Sequence, residues 1–151
     1  MTSTSTFDPS LLEETIVDAA NATSALQAPE GEYPALIDDY TFRPKITTKF
    51  GERVPLDVYW MIDDENVRKK MDRDVVTVKQ SLLLEVNEDD SLAVGPGQNS
   101  ALGRLRVALN MNGKGFSFLT LQNAGPARVL VTHRVVDGET YAEIKKVVPM
   151  A

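Results

Sequence analysis

Val54-Pro55-Leu56-Asp57-Val58-Tyr59-Trp60-Met61-Ile62 sets Leu56, Val58, Trp60 and Ile62 on one face and Asp57, Tyr59 and Met61 on the other. That two-residue period predicts a β-strand buried on one side. Downstream, Val75–Val86 repeats the pattern, with Val76, Val78, Leu82, Leu84 and Val86 in one phase and Thr77, Lys79 and Ser81 in the other. Upstream, Glu32 to about Arg43 carries Tyr33, Ala35 and Ile37 on one face and shifts phase near Asp38-Asp39. Three strands therefore come first. Asn99 then offers an N-cap for a helix from Ser100 to about Met111, ended by Asn112-Gly113, with Ala101, Leu102, Leu105, Ala108 and Leu109 as its apolar stripe. Asp137-Gly138 is a two-residue turn signal joining strands Ala127–Val136 and Thr140–Val148. The order β-β-β-α-β-β predicts a mainly β protein with helices (α+β). It suggests an OB-fold-like five-stranded barrel with its helix between strands three and four.

Outside this frame the signals are local. DDENVRKKMDRD (63–74) reads as a short helix or polar loop. NEDD (87–90) reads as a turn, and SLAVGPGQ (91–98) as extended chain or loop. GFSFLTL (115–121) is ambiguous between helix and strand. Residues 1–6 are Ser/Thr-rich and are expected to be disordered. Asp8-Pro9-Ser10 opens a short helix to about Ala20, with Leu11, Leu12, Thr15, Ile16 and Ala19 on one face. That face is expected to dock on the body or on a partner. NATSALQAPEG (21–31) reads as a linker ending in a turn. The division is thus an acidic N-terminal arm, residues 1–31, and a barrel domain, residues 32–151.

Charge follows the same division. The chain's formal charge is −6, which by itself argues against nucleic acid. Yet residues 1–42 hold eight acidic residues and no Lys or Arg, while residues 43–151 hold 14 acidic and 16 basic ones. An acidic arm on a mildly basic body leaves room for a local phosphate-binding patch. The acidic residues also serve simply to keep the arm soluble.

Several chemistries are disfavoured. The chain has no cysteine, hence no disulfide and no thiolate metal site. His133 is the single histidine, in the inward phase of its strand, and is read as a packed residue. His-based triads and His/Cys metal sites lack a second member. Asp63-Asp64 and Asp89-Asp90 do not match a calcium loop, and GPGQN and NGKG lack the phosphate-loop pattern. No catalytic residue, metal or cofactor is expected, and the chain is read as not an enzyme. No apolar run of about 18 residues suggests a membrane span. MTSTSTFDPS has neither the basic nor the apolar region of a secretory signal, so the expected location is cytoplasmic (host cytoplasm if phage-encoded).

What remains is a binding surface. Single strands lie across the exposed face of such a barrel, with aromatics stacking on bases and cations following phosphates. The exposed phases offer Tyr59, Lys79, Arg128, Arg134 and Tyr141, together with Met61, Thr77, Thr132 and Lys145. The loop RPKITTKFGER (43–53) adds Arg43, Lys45, Lys49, Phe50 and Arg53. Strand cations also protect sheet edges, and Arg68, Lys69, Lys70 and Arg73 sit among carboxylates as in a solvated helix. Trp60 falls in the inward phase and is assigned to the core.

PEGEYPALIDDY (29–40), the strand ending Trp60-Met61-Ile62-Asp63-Asp64, and GPGQNSALGRLRVALNMNGKGFSF (95–118) resemble a group of small bacteriophage early proteins, described as single-stranded DNA-binding or left unassigned. The likeness spans about residues 7–148, including FDPSLLEET (7–15). It implies an OB-like barrel acting in phage replication or recombination. Gln98-Asn99 and Leu102-Gly103-Arg104-Leu105-Arg106 are its most distinctive part. The leading expectation is a non-enzymatic single-stranded DNA-binding protein, with replication proteins or further copies of itself as partners. The alternative is a virion or assembly protein whose arm, through Phe7, Leu11, Leu12 and Ile16, packs on a neighbouring subunit.

Overall fold

A computed structural model describes residues 6–150; the Ser/Thr-rich start expected to be disordered lies, but for Thr6, outside the described residues. The alternating segments form strands as read, with small changes at their ends: β1 (Gly31–Phe42), β3 (Gly51–Ile62), β4 (Thr77–Leu84), β5 (Ala127–Val136) and β6 (Glu139–Val148). A sixth, β2 (Ile46–Thr48), forms where the sequence reads as loop. It pairs Ile46 with Arg53 and Thr48 with Gly51, so the basic stretch 43–53 is a hairpin rather than a free loop. β-Branched Ile46-Thr47-Thr48, followed by a glycine just past the turn, favours that ribbon.

The sheet is antiparallel throughout, in the order β4-β3-β1-β5-β6, with β2 on β3. β1 is the hub. Its first residues, Gly31–Ala35, pair with Val131–Ala127, and Ala35–Phe42 pair with Ile62–Leu56. A register shift between Ile37 and Asp39 explains the change of phase seen in the sequence. At the β5–β6 turn, Asp137 and Gly138 both have positive φ, 51° and 80°, as a tight hairpin of this type requires.

The expected closure of the sheet into a five-stranded barrel does not occur. β4 and β6 approach within 8 Å between Cα atoms but share no ladder. Helix α3 (Ser100–Ala108) packs against both edges, and its buried Leu102, Leu105 and Ala108 cover the core where a ladder would otherwise cover it. β6 also carries Lys145 as an extra residue opposite Leu130 and Val131, which bends it.

The core takes one phase from every long strand: Ala35 and Ile37, Leu56, Val58, Trp60 and Ile62, Val78, Leu82 and Leu84, Val129 and Val131, and Ile144. Trp60 is fully buried, and its indole N–H donates to Gln80 Oε1 at 2.9 Å. Truncating a buried side chain of this size costs about 3–5 kcal/mol. Helix α2 (Glu65–Met71) is capped by Asp64, contributes Val67 to the core and carries the pairs Lys69–Glu65 and Arg68–Asp63. It is the solvated, salt-bridged helix its composition suggests. GFSFLTL resolves into a 3₁₀ turn, Phe118–Leu121, with Phe42, Phe118 and Phe116 in edge-to-face contact. No helix among the described residues is long and apolar enough to cross a membrane.

The N-terminal segment differs from expectation in the length of its helix. Helix α1 ends at Glu14 rather than near Ala20; Asp8 caps it, accepting from Ser10 N at 3.1 Å. β-Branched Thr15, Ile16 and Val17 follow at once, a run that favours extended chain. Its apolar face does not dock on the body, and every residue from Thr6 to Thr23 is exposed. The linker, by contrast, is pinned at its end. Gln27 Oε1 accepts from Ala142 N at 2.9 Å, Glu30 accepts from His133 N at 3.0 Å, and the Ala28 carbonyl meets His133 Nε2 at 2.6 Å. Ala28 is buried. His133 is therefore not a packed core residue; it lies past the end of β1, exposed, and ties down the strap.

Candidate nucleic-acid interface

The ten residues singled out in the sequence separate into two sets and one outlier. Tyr59, Lys79, Arg134 and Tyr141 meet around one groove of about 820 Å³ along the gap between β4 and β6. The pairing explains why. Tyr59 lies opposite Lys79 on β3 and β4, and Arg134 lies opposite Tyr141 on β5 and β6. Both pairs face outward because their neighbours one residue away, Trp60, Val78 and Ala142, face the core. Unclosed edges bring the two pairs together across the gap.

Two further cations line the groove. Lys145 follows from the outward phase of β6, beside Tyr141 and Glu143. Arg73 opens the α2–β4 connection, just past the α2 C-cap Asp72, in a segment whose sequence reads as a solvated helix. Its position four residues before β4 was the one available signal. The strap residues Ala25–Ala28 complete the wall. Among the described residues the lining thus holds four cations, Arg73, Lys79, Arg134 and Lys145, against one carboxylate, Glu143. Arg134 and Glu143 pair loosely at 3.8 Å. No ion pair forms at Arg73, Lys79 or Lys145 among the described residues. Tyr59 is half-buried and Tyr141 is exposed; the Tyr141 hydroxyl donates to Glu139, which pushes that phenol above its usual range. Tyr141 is a neutral aromatic face at physiological pH.

The hairpin set is differently employed. Arg43 Nε pairs at 3.0 Å with Asp57, which also accepts from Ser81 Oγ at 2.9 Å and is only 4% exposed. Lys45 binds Asp90 and lies 3.7 Å from Glu52. Asp90 holds the Lys45 ammonium above its usual range, with Glu52 adding to it. Arg53 reaches Glu85 at 3.5 Å and donates to the Glu52 and Phe50 carbonyls. At the tip, Lys49 sits 5.1 Å over the ring of Phe50, which is 75% exposed. Arg128, half-buried on β5 opposite Val148, belongs to neither group. The hairpin cations Arg43, Lys45 and Arg53 thus hold carboxylates of the fold, while Lys49 and Phe50 remain presented to solvent.

The distinctive 98–106 stretch is structural. Asn99 has a left-handed backbone and does not cap α3 with its side chain, contrary to expectation. Its Nδ2 donates to the Glu85 and Ala93 carbonyls at 2.8 Å each, and its Oδ1 accepts from Glu85 N at 2.7 Å. It clamps the end of β4 to the following loop. Arg106 donates to the Met111 and Gly113 carbonyls and lies 4.2 Å from the Phe116 ring centre. Arg104 alone in that stretch points a charge at solvent.

Among the described residues no group of three or more His, Asp or Glu side chains is placed to hold a metal ion. Compared with known protein families, characterised proteins and solved structures, the chain gives no match.

Proposed function

We propose that the protein is a non-enzymatic single-stranded DNA-binding protein that holds its ligand in the β4–β6 groove. One observation carries this reading: two tyrosines and four cations converge on one groove with a single opposing carboxylate. Stacking on aromatic faces is worth about 1–3 kcal/mol per base and is tolerant of sequence. Lys79, Lys145 and Arg73 follow the phosphates, and Tyr59 and Tyr141 receive bases. Lys49 and Phe50 at the hairpin tip form a secondary contact.

We read the sheet as an open variant of the OB-fold. The strand order, the long bent β1 shared by two partners, the helix between β4 and β5 and the approach of β4 to β6 support that reading. The bacteriophage resemblance points to replication or recombination in the host cytoplasm as the setting. Fluorescence anisotropy with a labelled oligo-dT of about 30 nucleotides, at low and high salt and beside a duplex control, tests the proposal. Salt-sensitive binding that favours the single strand is expected; no binding at low salt overturns it.

A further inference from the structure

A second groove, of about 660 Å³, lies farther along the same gap, where α3 meets β4 and β6. Leu82, Val107 and Val147 give it an apolar surface, and Val107 is 54% exposed. Arg104, Lys145 and Lys146 supply its charge, and no carboxylate side chain lines it among the described residues. The arm has the opposite character. From Thr6 to Ser24 it carries Asp8, Glu13, Glu14 and Asp18, no Lys or Arg, and the exposed apolar residues Phe7, Leu11, Leu12, Ile16 and Val17.

Helix α1 has six residues and no buried side chain. A helix that short is not stable in water by itself and depends on packing for its order. The body of its own chain gives it none, since residues 6–23 are exposed and the first anchored residue is Gln27. We propose that the arm docks in the α3–β4–β6 groove of a second copy of this chain, apolar face inward and carboxylates against Arg104 and Lys146. Exchange of arms between two copies gives a closed, two-fold pair in which each contact is made twice.

Sedimentation velocity of the full chain over a concentration series tests this. The wild type is expected to form dimers. Glu13→Arg with Glu14→Arg, and separately Arg104→Glu with Lys146→Glu, are expected to give folded monomers, their folding verified by circular dichroism. The chain carrying all four changes is expected to regain the dimer, because the charges again oppose. Leu11→Asp is expected to give a monomer that no charge exchange rescues. A wild type that stays monomeric, including one whose arm folds onto its own groove, overturns the proposal. So does a dimer that survives either charge reversal, or a four-fold variant that remains monomeric.

Discussion

The 43–53 hairpin and the β4–β6 groove draw on the same residue types and put them to different uses. In the hairpin, Arg43, Lys45 and Arg53 each meet a carboxylate distant in sequence: Asp57, Asp90 and Glu85. In the groove, Arg73, Lys79 and Lys145 meet none among the described residues. A cation already paired within the fold must give up that partner to bind a phosphate. A cation facing only solvent releases a counterion and gains the contact. The paired hairpin cations therefore stabilise the protein, and under the proposed function the groove cations, with Lys49 and Phe50 at the hairpin tip, are the ones left to bind.

The sharpest way to break this comparison is to remove the groove's aromatics. Tyr59→Ala with Tyr141→Ala removes two stacking platforms, and at about 1–3 kcal/mol each the affinity for oligo-dT falls by roughly 30-fold or more in anisotropy titrations. Tyr141→Phe keeps the ring, loses only the hydroxyl bond to Glu139, and retains wild-type affinity. An unchanged double variant would remove the groove from the account.

A smaller effect, read in stability rather than binding, is expected at the hairpin. Arg43→Ala leaves the carboxylate of Asp57 buried with only Ser81 as partner. Stripping a charged group of a partner costs about 1–3 kcal/mol, measured by urea unfolding. Oligonucleotide affinity of the folded variant stays unchanged. Weaker still is Lys45→Ala, whose ion pairs are exposed and worth about 0–1 kcal/mol; less than about a twofold change in affinity is expected.

The smallest effect lies in the arm. The Asp8 carboxyl is held below its usual range because it accepts the side-chain and backbone bonds of Ser10. A carboxyl lowered on folding stabilises the cap above its unfolded value of about 3.9, and loses that stabilisation as pH falls through its folded value. The Ser10 amide resonance should therefore move toward its random-coil position only in that acidic range. Movement around neutral pH would contradict the cap.

Much of this comparison was legible in the residues. Strict alternation in Val54–Ile62 assigned Trp60 to the core and Tyr59 to the outside. The phase slip at Asp38-Asp39 located the irregularity in β1, and Asp137-Gly138 fixed the last turn. Those signals act between near neighbours. The partners of Arg43, Lys45 and Arg53 are not near neighbours. Asp57 faces Arg43 only because β1 and β3 pair antiparallel, and Asp90 arrives from another loop altogether. For the same reason the sequence places Arg73 among the solvated α2 charges, although the turn after α2 brings it to the groove. Closure is not legible in the residues, because strand order alone does not reveal that α3 packs on both edges. His133 has the phase of a core residue but sits beyond the strand that would have covered it, and Asn99 occupies a cap position while its side chain bonds elsewhere.

The most direct test compares salt dependence between the two regions. Oligo-dT affinity is titrated over a range of salt for wild type, for Lys79→Ala with Lys145→Ala, and for Lys45→Ala with Arg53→Ala. Each phosphate contact to a single strand contributes about −0.7 to the slope of log K against log salt. The groove pair is expected to flatten the slope by about 1.4 and to weaken binding, while the hairpin pair leaves the slope unchanged. A hairpin variant that flattens the slope, beside a groove variant that does not, would contradict the account.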